Sequence, residues 1–140
     1  MSWRKNKIEA LLNTYTTILT GRGTTALWAL LKTLRCPGAG VLVAVNVCEV
    51  VVAEILQGAV DEREWTKLAG ELGALVCLSM EGVGERAGQL ALQLRRRGLS
   101  IPTTDLLIVA TAQMHKAALL HRDQHLTRAA VALGLQTLEP

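Results

Sequence analysis

Asp105 and Asp123 are the two residues whose settings most suggest chemistry. The stretch IPTTDLLIVATAQMHKAALLHRDQHL, Ile101 to Leu126, sets Asp105 at the start of an apolar helix and Asp123 just beyond an apolar strand. In a parallel α/β arrangement both positions come to the edge of the sheet where the strands end. A further acid, Glu54, lies in the apolar segment VNVCEVVVAEILQGA, where an unpaired charge is costly to bury. A shared metal site is the economical explanation for all of them. Taken singly, each also has a plain structural role: Glu54 as a partly exposed helix residue beside Gln57, Asp105 as a first-turn acid, and Asp123 as a loop residue or N-cap.

The surrounding elements follow from pattern and punctuation. Lys7 to Asn13 contains a short apolar run that suits a first strand, followed by a Thr-rich turn and a helical stretch from about Thr24 to Leu34. The breakers in CPGAG precede VLVAV, which reads as a strand buried on both faces. A helix over about Val47 to Gln57 stops at Gly58, and Asp61, Glu62 and Glu64 mark the start of the next. Ala74 to Leu78 reads as a strand, and the helical spacing of MEGVGERAGQLALQLRRRG ends at Arg95, Arg96, Arg97 and Gly98. Thr103 or Thr104 is expected to cap the helix that begins near Asp105. Ala117 to His121 is then a strand, Arg122 to Leu133 a helix and Leu135 to Leu138 a last strand. Strands alternating with helices predict a parallel α/β sandwich, and no linker, repeat or low-complexity tract divides the 140 residues, so one domain over residues 1–140 is expected.

At this point the chain resembles the PIN-domain family, and within it the small VapC-like ribonuclease toxins. The resemblance spans most of the chain. It rests on LLNTYTTI against the family's opening strand and turn, AEILQGA against its Glu helix, and TTDLLIVATA followed by LLHRDQHL against its two later acids, with LRRRGLSIP just before them. It implies a three-layer α/β/α fold with a central, mainly parallel sheet and a Mg2+ or Mn2+ site whose ligands are Asn13, Glu54, Asp105 and Asp123. It further implies endoribonuclease activity, a small antitoxin protein as partner, and a homodimer. Such a cation takes oxygen ligands, lowers the pKa of a bound water and stabilises charge on the leaving oxygen of a phosphodiester.

Asn13 departs from the family pattern, which has an aspartate there. An amide oxygen can ligate a cation but brings no negative charge, so attenuated or absent turnover is expected. Glu9 is the nearest preceding acid, and four residues along a strand is too far to compensate. Thr14 and Thr104 adjoin expected ligands and suit supporting hydroxyls; a cap is the ordinary role of Thr104. Arg122 stands beside Asp123, to contact substrate or to balance the acids. His125 follows two residues after Asp123, either to contact phosphate or as a solvent-facing histidine at a helix start. His121 and His125 are four apart, but His121 ends a strand, which weakens the argument for a helical metal pair. Arg95, Arg96 and Arg97, with Arg86 earlier on the same helix, attract RNA phosphates or simply complement a helix terminus.

Composition narrows the remaining classes. Half of the residues are apolar, yet no apolar run is long enough to cross a bilayer, so no membrane partner and a cytoplasmic location are expected. A formal charge of +3 tolerates a polyanionic partner without requiring one, and 3% aromatic content excludes extensive base stacking. Cys36, Cys48 and Cys77 are widely spaced in apolar surroundings, as expected of free buried thiols. The GRG, GAG and GVG triplets lack the context of a phosphate loop, so no nucleotide cofactor is expected. Two other classes remain: a PIN-like module that holds RNA or an antitoxin without cleaving, and a receiver-like signalling domain, whose adjacent acids and late lysine are not evident.

Overall fold

A computed structural model of the chain describes residues 17–19, 45–121 and 123–138. The strands are β1 (Thr17–Leu19), β2 (Val45–Val47), β3 (Val76–Cys77), β4 (Ala118–Leu120) and β5 (Thr137–Leu138). They form a single sheet in the order β3-β2-β1-β4-β5, and every pairing is parallel. The helices are α1 (Glu49–Leu56), α2 (Glu62–Gly73), α3 (Val83–Arg95), α4 (Thr103–Met114) and α5 (Gln124–Leu133). Ala118, Leu119 and Leu120 are all buried. Successive strand residues face opposite sides, so β4 is covered on both faces and the expected α/β sandwich is present.

The Thr-rich stretch expected as a turn instead supplies β1, which pairs with β2 on one side and β4 on the other. The β-branched Thr17 and Ile18 suit a central strand. The strand expected over Lys7 to Asn13 and the helix expected over Thr24 to Leu34 lie outside the described residues. Leu19 pairs with Leu120, which brings the carboxyl ends of these two central strands level.

Local signals set most helix ends. Asp61 caps α2 by accepting the Glu64 N–H at 2.7 Å, and Glu64 reaches back to the Val60 N–H at 2.8 Å. The first bond satisfies one N–H that the helix itself leaves open, and the second ties the residue before the cap to the first turn. Beyond α3, Gly98 adopts φ 75° and the Arg97 guanidinium donates to the Ala132 carbonyl in the last turn of α5. At least one arginine of the triplet therefore has a structural task. Neither Thr103 nor Thr104 caps α4: Pro102 is the N-cap residue, with no side-chain hydrogen bond, and α4 starts at Thr103. Proline preorganises the entry through its fixed φ, here −55°.

The core gathers around α4, which buries Leu106, Ile108, Val109, Ala110 and Ala112 together with Thr111. Thr111 donates its hydroxyl to the Leu107 carbonyl at 2.8 Å, which satisfies a polar group inside the helix packing. Val51 and Ile55 of α1, Leu90 and Leu94 of α3 and Leu126 and Ala129 of α5 complete the same core. Cys48 is buried and free, and burial pushes its thiol up from the ordinary 9.0. Cys77 is free but exposed, contrary to expectation, because it sits on the edge strand β3. Cys36 lies outside the described residues. No described helix is long and apolar enough to cross a membrane.

Candidate active site

The two late acids sit at the starts of two helices that pack on each other. Asp105 lies in the first turn of α4 and is only 5% exposed. A carboxylate there gains from the helix dipole, which partly offsets its removal from water. Asp123 is half-buried and is the N-cap of α5, with extended backbone at φ −108° and ψ 130°. Its Oδ1 accepts the His125 N–H at 2.7 Å, and its carbonyl accepts the Thr127 N–H at 3.0 Å and hydroxyl at 3.1 Å. Its own N–H donates to Nδ1 of the buried His121 at 3.2 Å. Helix α4 leads into β4 and α5 leaves it. Asp105 and Asp123 thus flank one strand in the chain path.

Glu54 is half-buried in the second turn of α1, close enough to Cys48 that its charge helps to raise the thiol, after burial. Helix α1 packs against both α2 and α4. Glu49, absent from the sequence expectations, opens α1 directly beyond β2 and accepts the Cys77 thiol at 3.5 Å through Oε1. Glu54 lies about 7.5 Å further along the helix axis at 1.5 Å per residue. The signal for Glu49 is an acid at the first position of a helix that follows a strand, whereas Asp105 lies in the first turn of a helix that follows α3 and its loop.

The other expected residues are distributed unevenly. Asn13, Thr14 and Arg122 lie outside the described residues. His125 is exposed in the first turn of α5, where its backbone serves the cap, and Thr104 is exposed at the start of α4. Arg86 does not face Asp105. It donates through Nε to Gln113 Oε1 at 2.8 Å and through a terminal nitrogen to Gln89 Oε1 at 3.1 Å. Gln113 lies about 12 Å along α4 from Asp105 by helical rise. The antiparallel course of the packed helices therefore carries Arg86 to the opposite end of α4.

The donors suit a hard cation. Magnesium takes one or two carboxylates directly and completes its shell with water and phosphate oxygens, and Asp105 and Asp123 carry oxygen donors of that kind. Among the described residues, no three His, Cys, Asp or Glu side chains gather closely enough to hold a metal ion.

Comparison with known proteins gives this geometry a context. The solved structure of VapBC-1 from nontypeable Haemophilus influenzae is similar at TM-score 0.64 and 18% identity, over 88% of this chain and 98% of that one. VapBC2 from Rickettsia felis, bound to a DNA fragment from their promoter, is similar at TM-score 0.61 and 17% identity, over 88% and 98%. FitAcB from Neisseria gonorrhoeae is similar at TM-score 0.58 and 20% identity, over 87% and 96%. At these identities the likeness is one of fold. No curated protein matches the chain by sequence. The PIN domain family model matches residues 38–132, a span that includes Glu54, Asp105 and Asp123. The chain belongs to the PIN-domain family.

Proposed function

We propose that the chain is a VapC-like toxin, a metal-dependent endoribonuclease attenuated by Asn13. The observation that carries this reading is the pairing of a buried acid at the start of α4 with an acid that caps the adjacent α5. In this account Asp105, Asp123 and Glu54, with the Asn13 amide oxygen, hold Mg2+ or Mn2+, and Glu49 is an additional candidate. When bound, the cation supplies a water of lowered pKa and stabilises charge on the leaving oxygen. The chain's own work is orientation. The α5 cap fixes Asp123, burial screens Asp105 from bulk water, and His125, with Thr14 and Arg122, contacts the RNA. The similarity in fold to the VapBC and FitAB structures supports a small antitoxin as partner, and a homodimer is part of the same proposal.

A non-catalytic binding module is the second reading. It is favoured by the neutral Asn13 and by the lack of a three-ligand group among the described residues. Cleavage of a mixed structured RNA by the native chain and by Asp105→Asn, in Mg2+ and in Mn2+, separates the two. The nuclease reading expects slow cleavage by the native chain, strongest in Mn2+, and none by Asp105→Asn. Retained RNA binding without cleavage by the well-folded native chain would select the binding module.

A further inference from the structure

We infer that His121 is a positioning residue for Asp123, completing from the strand side a helix cap that α5 cannot complete itself. The inference rests on the metal-site reading above. In a reciprocal cap, the residue three beyond the N-cap returns a side-chain acceptor to the N-cap N–H. In α5 that residue is Leu126, which is 3% exposed and committed to the core. The imidazole of His121, at the carboxyl end of β4, supplies the acceptor instead: Nδ1 receives the Asp123 N–H at 3.2 Å. His121 is 1% exposed, and its ring is among the largest fully buried side chains. Because Nδ1 accepts, the proton of the neutral ring is on Nε2.

The two bonds to Asp123 work together. His121 holds its backbone from the strand side, while the His125 N–H holds its carboxylate from the helix side. Between them they fix the turn from β4 into α5 and the direction in which the carboxylate is presented. Binding geometry that is set before the ligand arrives does not have to be ordered at binding, so the ring contributes to affinity without touching the ion.

The test compares His121→Asn, which keeps an acceptor close to the place of Nδ1, with His121→Leu, which has none. Both lose the ring, so the difference between them isolates the acceptor. Mn2+ affinity is read by paramagnetic resonance of free Mn2+, and folding by circular dichroism, with Asp105→Asn as the reference for site-specific binding. His121→Leu is expected to bind Mn2+ about tenfold more weakly, the equivalent of one hydrogen bond, and His121→Asn within about threefold of the native chain. Equal affinities for the two variants would overturn the inference while leaving the metal site intact. Native binding that is indifferent to Asp105→Asn would remove the metal-site reading, and the inference with it. If His121→Leu does not fold, His121→Val, which also lacks an acceptor, takes its place against His121→Asn, and the same difference in Mn2+ affinity decides.

Discussion

Asp123 accepts the His125 N–H through Oδ1 at 2.7 Å, so the carboxylate proposed as a metal ligand is also the cap of α5. The two duties separate by substitution. Asn caps helices about as well as Asp, whereas Ala leaves the first turn open. Asp123→Asn is expected to keep native stability, and Asp123→Ala to lose about 1 kcal/mol in urea denaturation. Metal-dependent RNA cleavage should disappear in both. Full cleavage by Asp123→Asn would show that the residue serves only as a cap.

Glu49 and Glu54 compete for the place of the α1 acid. Glu49 stands at the start of the helix, immediately beyond β2, while Glu54 is a turn and a half further on. Because Glu49 is engaged by the Cys77 thiol of the edge strand β3, Glu54→Gln is expected to reduce cleavage at least tenfold, an effect of about 1.4 kcal/mol, and Glu49→Gln to reduce it less. Single-turnover rates for the two variants check the order, and the reverse order would give the role to Glu49.

Arg86 is expected to act in stability rather than in substrate binding. Its guanidinium ties α3 to Gln113 of α4 in a half-buried setting. Arg86→Ala should cost about 1 kcal/mol in urea denaturation while leaving RNA affinity unchanged. A weakened RNA complex with unaltered stability would refute this.

Burial of the Cys48 thiol sets a pH dependence. With the folded value raised above the ordinary 9.0, the folded state holds the proton more tightly than the unfolded state. This contribution to stability is complete below about pH 9 and declines as pH rises through the range in which the unfolded thiol ionises. Cys48→Ala should flatten the decline in a series of urea denaturations above pH 8. An unchanged slope would assign the dependence to other groups.

The later part of the chain was legible because its punctuation is local. Asp61, Gly98 and the short apolar run from Ala74 to Leu78 are signals that need no knowledge of distant residues, and the observed α2, α3 and β3 follow them. β1 was not legible: a three-residue strand has almost no periodicity, and its parallel partners come from Val45 and Ala118, far along the chain. The α4 cap was misassigned because two threonines beside a proline present rival cap residues, and the proline took the position. Asp105 and Asp123 stood out through their position beside apolar elements. The engagement of Arg86 depends on Gln113, 27 residues away, and that of His121 on the small size of its turn, neither of which spacing reveals.

The most direct test of the central claim is an anomalous difference map from Mn2+-soaked crystals of the native chain. A peak is expected between Asp105 and Asp123, on the carboxylate oxygens directly or one water removed. A map with no peak there, from crystals that diffract well and were soaked at millimolar Mn2+, would contradict the metal site and leave the chain as a PIN-domain protein that binds without cleaving.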